Sequence, residues 1–479
     1  MGGIPTKPLM NLNVILFSQM PPMAVLTTVL TAIDEGIGAL NDIVWGPLML
    51  ALLFGTHIFL TFRLRFIQRF IPLGIRISMK KDTGTGDVSQ AGALATALAA
   101  TVGTGNIVGV ATAVGLGGPG AVLWMWLTGV FGIATKYAEA LLSIRYREID
   151  ENGNIVGGPM FVLEKGLKMR WAGVLFAVLT VIASFGIGNM VQAHSISDLL
   201  HDNAGVSPYI TGAVLAILTA LVILGGLRRI AGVCEALVPL MAVIYMAATV
   251  LLLIMGWQTL PATIQLIFES AFTGQAAVGG FLGAGLREAI RFGIARGLFS
   301  NESGMGSAPI VAAAAKTRNP VRQALVSSTG TFWDTVVICA LTGLVLVNTG
   351  VWQSGQKGAP LTAMAFEQLG PVGPIVLTIC LLLFVFSTII GWSYYGERAL
   401  EYLAGVKSLI PFRIIWVAVV FLGAVTEMHV VWNFADTANA LMAIPNLLAL
   451  LLLSGVVVKE TRRWLWSGNI DEEDPELKG

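Results

Sequence analysis

The segment Ala99–Ala113 (AATVGTGNIVGVATA) constrains the fold of this chain most, because it is a long apolar run broken at its centre. Glycines at positions 103 and 105 lower helix stability, and Asn106 brings an amide to membrane depth. Irregular backbone at that depth persists only where it lines a cavity inside the protein. We therefore predict a discontinuous helix whose bare N–H and C=O groups surround a small charged solute.

Composition places the rest of the chain in a lipid bilayer. Among 479 residues, 55% are hydrophobic and 12% are charged, which is about half the charged fraction of a soluble protein. The sequence therefore predicts an all-α polytopic membrane protein. About eleven segments approach the roughly 20 residues that a spanning helix needs; they are residues 44–62, 91–116, 120–143, 172–199, 209–227, 232–256, 281–316, 322–347, 371–394, 411–428 and 431–457.

Basic residues gather in every second connection between these segments, beginning with the loop at residues 63–81. The intervening connections, such as residues 200–208 and 348–370, hold almost no Lys or Arg. The positive-inside rule then predicts that the N-terminus lies outside and the C-terminus in the cytoplasm. Three arginines on the outer half of the segment 281–316 do not follow this rule: Arg287, Arg291 and Arg296.

The chain also contains an internal repeat. Residues Gly293–Phe332 resemble Gly92–Phe131 at a constant offset of 201 residues (304 − 103), without gaps. The matched features are a G-x-G motif, a following proline and a closing T-G-x-F motif. Five predicted spans lead from one unit to the next, so the second unit enters the membrane from the opposite side. Inverted repeats with paired broken helices are typical of secondary transporters.

The first break offers groups that suit an anionic carboxylate. Thr101, Thr104 and Asn106 supply polar side chains, and the backbone is freed around Gly103 and Gly105. The N-terminal ends of half-helices favour negative charge, and glycine leaves room for a small ligand close to the backbone. A simple glycine kink for helix packing is the alternative, but packing does not require Asn106.

The second break has the sequence Asn301-Glu302-Ser303-Gly304. An ionisable residue at membrane depth costs roughly 2.5–3.5 kcal/mol, so Glu302 is expected to have a cationic partner. The candidates are a substrate ammonium, a metal ion or Arg296, the last of which would make a purely structural pair. Asn301 and the nearby carbonyls are ammonium acceptors in either case.

Two polar positions are candidate cation ligands. Asp334 lies about 18 Å along a helix from Arg322 and so near the bilayer midplane; its carboxylate suits sodium coordination or proton transfer. Ser387 and Thr388 are adjacent in an apolar run and offer two hydroxyl oxygens. The alternatives are a protonated Asp334 that bonds a neighbouring helix, and hydroxyls that bond their own helix.

Three further residues are candidates for the wall of the substrate cavity. Asn189 and Gln192 are three residues apart, on one face of an otherwise apolar helix. They either reach the cavity or join two helices by hydrogen bonds. Trp392 either closes an inner gate or belongs to an interfacial belt of aromatic residues.

Enzyme signatures are missing from the sequence, which has no H-E-x-x-H, G-x-S-x-G or nucleotide-binding motif. We therefore expect no catalytic residues, no cofactor and no nucleic-acid partner. The three cysteines fall in apolar runs, where small packing residues are the simplest interpretation.

Several long motifs together resemble the bacterial and archaeal alanine/glycine:cation symporter family, over about residues 41–460. They are ATALAATVGTGNIVGVATAVGLGGPGAVLWMW, GGPMFVLEKGL, AFTGQAAVGG, RGLFSNESGMGSAPIVAAAA and FWDTVVIC. The resemblance implies a leucine-transporter-like (LeuT-like) fold with a five-plus-five inverted repeat and two discontinuous helices. The implied domains are an N-terminal segment 1–40 with an interfacial helix, an extra helix 41–63, repeats 91–257 and 276–458, and a cytoplasmic tail 459–479.

The resemblance also implies roles for the candidate residues. Ser387 and Thr388 resemble the paired hydroxyls of the sodium site shared by this fold, which carbonyls near Thr101 complete. Asp334 falls on a helix that contributes to a second cation site in some relatives, and Trp392 becomes a substrate-facing or gating residue. Ser303 replaces the alanine that is more frequent in the family, which adds a hydroxyl near the site.

The expected function is sodium-coupled symport of alanine or glycine across the cytoplasmic (inner) membrane. Na⁺ is expected as a co-transported ion. The sequence leaves proton coupling open, because Asp334 and Glu302 suit either cation, and it leaves glutamine or serine open as substrates. A channel or an intramembrane enzyme that uses Glu302 and Asp334 fits the paired broken helices less well.

Overall fold

The computed structural model describes residues 36–38, 40, 44–273, 285–426 and 429–477, so most of the expected N-terminal interfacial helix lies outside the described residues. The described residues are mainly helical. The helices are α1 Pro47–Arg63, α2 Ile71–Ser78, α3 Gln90–Thr101, α4 Val110–Gly117, α5 Gly120–Arg145, α6 Pro159–Phe161, α7 Arg170–Ala183, α8 Val191–Ala204, α9 Pro208–Ile223, α10 Gly226–Met255, α11 Leu260–Thr273, α12 Leu286–Asn301, α13 Pro309–Ala313, α14 Pro320–Thr331, α15 Ala340–Asn348, α16 Ala359–Phe366, α17 Val372–Ala404, α18 Leu409–Val425, α19 His429–Leu452 and α20 Ser454–Thr461.

Several of these helices can cross a bilayer. Within the described part of the chain, five are long and apolar enough to do so, and the number rises to eight if each of three bent pairs forms one span. One bent pair is α3 with the segment Gly105–Gly117, which turns by 51°. The chain is therefore a multi-pass membrane protein, while the division into about eleven spans and two five-helix repeats stays a prediction.

The first predicted break lies between α3 and α4. The Ser89 side chain caps the start of α3 by accepting a hydrogen bond from the Gly92 amide at 2.8 Å. The helix ends at Thr101, where Val102 adopts an extended conformation. A wide π-helical turn, Gly105–Gly109, then leads into α4.

The second predicted break lies between α12 and α13. Glu302 ends α12 in a left-handed conformation with φ of 52°. Gly304 and Gly306 follow with φ of 91° and 87°, values that glycine adopts without the steric cost of a Cβ atom. Pro309 starts α13, where its missing N–H costs nothing.

The start of α3 and the end of α13 meet on one face, which also carries Arg145 and Arg147; we call this the basic face. Residues 85–88, which lead into α3, pair with residues 315–317, which follow α13. The buried guanidinium of Arg147 donates to the carbonyls of Ala313, Ala315 and Thr85, each at 3.2 Å. A short antiparallel hairpin, β1 Glu148–Ile149 and β2 Ile155–Val156, follows α5 on this face.

Two long helices enclose the breaks from opposite sides. Helix α5 packs along α12 and α14, and helix α17 packs against α3, α7 and α10. The side chains of the central residues are therefore surrounded by protein. Asn106, Asp334 and Ser387 each have no exposed surface.

Candidate transport site

A small cavity lies between the two breaks, with a volume of about 20 Å³. This is close to the volume that one water needs, and an amino acid is several times larger. The cavity is lined by Ala100, Thr101, Gly103, Thr104, Gly105, Ile187, Gln192, Phe299, Glu302, Thr388, Trp392 and Asn439. The structure thus brings both broken helices, the α7–α8 segment and α17 to one site.

Glu302 and Trp392 form one wall of this cavity. The indole Nε1 of Trp392 donates to Oε1 of Glu302 at 3.1 Å, and the Ser307 hydroxyl donates to Oε2. A left-handed conformation costs a residue such as Glu302 about 1–3 kcal/mol, and such strain gathers at functional sites. The structural pair of Glu302 with Arg296 is not formed among the described residues; Arg296 lies over the ring of Phe299 at 5.8 Å.

The predicted hydroxyl pair meets the end of the first broken helix. The hydroxyls of Ser387 and Thr388 lie 3.3 and 3.2 Å from the carbonyl oxygen of Ala99. Both hydroxyls also donate to the carbonyl of Phe384 in their own helix, at 2.8 and 2.9 Å. Thr101 lies beside this group, and its own hydroxyl bonds the carbonyl of Ala97. Uncharged hard oxygens therefore converge here, as an alkali cation requires.

Asp334 is the centre of a second, fully buried polar cluster. Its Oδ1 accepts from Nδ2 of Asn106 at 2.7 Å, and its Oδ2 accepts from the hydroxyls of Ser300 and Thr335 at 3.0 and 2.6 Å. Asn106 in turn accepts from the Gly103 amide at 2.9 Å. Asp334 therefore contacts the first break through Asn106, and Asn106 is not among the side chains that line the substrate cavity.

The Sodium:alanine symporter family profile matches residues 30–478 of the chain. The chain belongs to this family. The sodium/alanine symporter AgcS of Methanococcus maripaludis is 52% identical over 438 residues, which cover 89% of this chain and 96% of AgcS. An uncharacterised transporter of Haemophilus influenzae is 47% identical, with 92% and 98% of the two chains covered. The probable sodium/glutamine symporter GlnT of Bacillus subtilis is 39% identical, with 89% of each chain covered.

The match establishes that this symporter is a transporter and not an enzyme. It also gives the symporter an amino-acid substrate and a cation as partners, in agreement with the family resemblance of the motifs.

Several predicted substrate residues of the symporter point away from the cavity. Asn189 donates to the carbonyl of Trp416 at 3.0 Å, so its amide joins two helices. The Ser303 hydroxyl pairs with that of Thr331 at 3.1 Å, which removes it from the wall that it was expected to change. The carbonyl of Gly304 accepts from Nδ2 of Asn446 at 2.9 Å.

Asn301 and Gln192 lie closer to the cavity. Asn301 accepts from the Ser303 amide at 2.9 Å, and its Nδ2 has no hydrogen-bond partner among the described residues. It lines a second cavity, of about 10 Å³, that shares Thr101 with the first. Gln192 lines the first cavity while its Nε2 donates to the carbonyl of Ile187 at 3.0 Å.

Sequence reasoning missed a group of buried residues behind the second break of the symporter. Oε1 of Glu139 accepts from the Gly306 amide at 3.1 Å and from Nδ2 of Asn446 at 2.6 Å. Lys136 lies one turn earlier on α5 and is 4% exposed. The signal was present, since Lys136 and Glu139 are ionisable residues in the middle of a predicted span.

Proposed function

We propose that this symporter couples the entry of Na⁺ to the uptake of alanine or glycine by alternating access. One observation carries the proposal: the hydroxyls of Ser387 and Thr388 converge with the Ala99 carbonyl, beside a cavity bounded by both breaks. Three oxygens without formal charge suit a monovalent cation, and the adjacent half-helix suits a small zwitterion. The inward direction follows from the membrane potential and the sodium gradient, which both drive Na⁺ into the cell.

The proposed substrate pose uses the two breaks differently. The substrate carboxylate lies on the backbone of Thr104 and Gly105, which line the cavity, because the Gly103 amide already donates to Asn106. The ammonium lies toward Glu302, whose carboxylate faces the same cavity through its contact with Trp392. The carbonyl of Gly304 is a weaker candidate for the ammonium, because Asn446 already donates to it.

Transport in this proposal requires the cavity to change volume. At about 20 Å³ the cavity is too small for alanine, so loading needs a wall to move. Phe299 and Trp392 are the large side chains of that wall. Opening toward the cytoplasm would also separate the segment before α3 from the end of α13, which the Arg147 contacts hold together.

The energy of one cation is sufficient for concentrative uptake. One charge that moves down a membrane potential of 100 mV releases about 2.3 kcal/mol. That energy corresponds to roughly fifty-fold accumulation of a neutral substrate. The sodium concentration gradient adds to this value.

Glutamine is a second candidate substrate, because the probable sodium/glutamine symporter GlnT is 39% identical to this chain. A glutamine side chain would need more room beyond Gln192 and Trp392 than alanine does. Competition by glutamine against labelled alanine therefore distinguishes the two substrates.

Labelled alanine uptake into proteoliposomes tests the proposal, first with an imposed sodium gradient and then with an imposed proton gradient. We expect uptake with the sodium gradient alone, and a large loss in Ser387→Ala and Thr388→Val. Uptake with only the proton gradient, lost in Asp334→Asn, would replace sodium by protons. Absence of concentrative uptake of alanine and glycine under both gradients would overturn the substrate assignment.

A further inference from the structure

Lys136 places a positive charge inside the helical core that the proposed function does not use. The residue lies in α5, is 4% exposed, and its Nζ has no hydrogen-bond partner among the described residues. Burial of an uncompensated ammonium costs several kcal/mol. A negative charge close by is therefore needed to keep this residue in the core.

Three buried carboxyl groups interact electrostatically with Lys136: those of Glu139, Glu302 and Asp334. Glu139 differs from the other two in its hydrogen bonds. Both oxygens of Glu302 and both oxygens of Asp334 accept hydrogen bonds from neighbours. Glu139 has one oxygen, Oε2, without a partner among the described residues.

Lys136 and Glu139 are also neighbours on helix α5 because of their spacing in the sequence. They are three residues apart on one helix, a spacing that brings side chains to the same face about one turn apart. No ion pair shorter than 4.0 Å joins them among the described residues, so their electrostatic interaction acts over a longer distance. Glu139 is held in place by the Gly306 amide and by Asn446.

The position of Lys136 connects this pair to transport. Lys136 lines the small cavity that also contains Thr101 and Asn301. Thr101 lines the substrate cavity as well, so one residue separates Lys136 from the proposed substrate site. A charge at this distance acts on a cation in a low-dielectric interior with little screening.

We propose that Lys136 and Glu139 form an internal charge pair that sets the electrostatic potential at the cation site, and thereby the affinity of the symporter for its cation. The pair acts as a positioning and tuning element, since neither residue touches the proposed substrate cavity. The proposal rests on the proposed function only in taking Na⁺ as the cation.

Four variants in proteoliposomes test the pair: Lys136→Met, Glu139→Gln, both changes together, and Lys136→Arg. Glu139→Gln keeps an acceptor for Gly306 and leaves the ammonium uncompensated, so the sodium concentration for half-maximal alanine uptake should rise about tenfold. Lys136→Met leaves a carboxylate without its positive partner and should lower that concentration. In the double variant, the sodium concentration for half-maximal uptake should lie within about twofold of the wild-type value. The same is expected for Lys136→Arg, which keeps the positive charge.

The outcomes separate this proposal from the proposed function. If the double variant folds, as judged by size-exclusion chromatography, but is no better than the worse single variant, the two charges do not compensate each other. Single variants with unchanged sodium dependence would also overturn the pair. If the wild-type protein takes up alanine with protons, sodium coupling is overturned but the charge pair is not. The same variants would then shift the pH of half-maximal uptake in the same directions.

A second observation, independent of the first, concerns the arginines that the positive-inside rule does not explain. A groove of about 1090 Å³ runs between α1 and α12, and among the described residues that line it only Arg287 and Arg291 are ionisable. The rest of its lining is apolar or glycine, from Gly46 to Ile58 on one side. Both helices begin at the face opposite the basic face, so the arginines lie at the outer end.

We infer that this groove binds an anionic phospholipid of the outer leaflet, with one acyl chain along it. Residues 46–58 of α1 rise about 18 Å, close to the roughly 15 Å of hydrocarbon in one leaflet. Arginine guanidinium groups bind phosphate with paired hydrogen bonds. The two arginines are four residues apart and so share one helix face.

Thermal unfolding in detergent with added lipid tests the site. Phosphatidylglycerol should stabilise the wild type by several degrees relative to phosphatidylcholine, and Arg287→Gln/Arg291→Gln should abolish the difference. Arg296→Gln is the matched control, because this arginine does not line the groove. The lipid site would be overturned if phosphatidylglycerol stabilised the double variant as much as the wild type, or if inorganic phosphate had the same effect as the lipid. If the wild type were stabilised only by forming a dimer, the groove would be assigned to a second copy of the chain.

Discussion

The two breaks differ in how completely the protein binds their backbone. At the first break, Gly103, Thr104 and Gly105 line the cavity, and Asn106 supplies a side-chain contact to the Gly103 amide. At the second break, the Gly306 amide and the Gly304 carbonyl are both bound by side chains of other helices. The first break is therefore held by its own residues and faces the cavity, whereas the second is bound to other helices and is mainly part of the scaffold.

This difference explains why glycine occurs at both breaks for different reasons. Gly304 and Gly306 have positive φ, so their glycines satisfy a backbone requirement. Gly103 has no such requirement, but a methyl group there would lie 2.6 Å from the Thr388 hydroxyl. One set of glycines serves folding, and the other keeps a binding site open.

The largest expected effect comes from glycine substitutions that separate these two roles. Gly306→Ala adds a methyl 2.8 Å from Phe176 and Pro159 at a positive φ, and should destabilise the protein by roughly 2–5 kcal/mol. Gly103→Ala should unfold at nearly the wild-type temperature but lose uptake. Thermal unfolding in detergent and alanine uptake measure the two effects. Equal destabilisation by both would contradict the contrast between the breaks.

The next effect tests the scaffold role of the second break. Asn446→Leu removes the donor to Glu139 and Gly304, and leaving these acceptors unpaired costs about 1–3 kcal/mol each. Asn189→Leu is the control, because it removes one buried interhelical bond, to the Trp416 carbonyl, that involves neither Glu139 nor Gly304. Both variants should be less stable in urea, but only Asn446→Leu should raise the alanine concentration for half-maximal uptake. If Asn189→Leu raised it as much, the effect would be general.

The third effect tests the ligand role of the first break. Thr388→Val keeps the side-chain shape but removes the hydroxyl that faces the Ala99 carbonyl. Loss of one contact to a charged group costs about 1.5–3 kcal/mol, so the half-saturating sodium concentration should rise roughly tenfold to a hundredfold. Thr388→Ser keeps the hydroxyl and should stay near the wild type. An unchanged sodium dependence in Thr388→Val would move the cation site elsewhere.

Sequence reasoning located both breaks because their causes are local. Glycine, asparagine and proline disturb a helix wherever it packs, so residues 102–104 and 302–308 break as predicted. The convergence of Ser387 and Thr388 with the first helix came from the family resemblance, and the geometry agrees with it. Whether these groups bind sodium stays a prediction.

Side-chain directions were less accessible from the sequence. Helical spacing predicts the helix face on which Asn189 lies. Only the packing of the helices determines that the carbonyl of Trp416 lies opposite that face. Asn106 was expected in the cavity and instead bonds Asp334, 228 residues away in the chain. The contact of Glu139 with Gly306 likewise joins helices whose approach no local pattern encodes.

The smallest expected effect concerns Trp392, the residue that contacts the second break from the cavity side. A methyl at Gly188 would overlap Cβ and Cγ of Trp392 and lie 2.9 Å from its Cδ2, so Gly188→Ala should displace the indole from Glu302. Overpacking costs about 1–3 kcal/mol. Because part of this cost destabilises the substrate-bound state, the half-saturating alanine concentration should rise about threefold to tenfold. Gly232→Ala is the control, because a methyl there meets no atom within 4 Å. Since the proposed sodium ligands lie beside the first break, the sodium dependence of Gly188→Ala should stay unchanged. A parallel loss of sodium affinity would mean that the two breaks act as one unit.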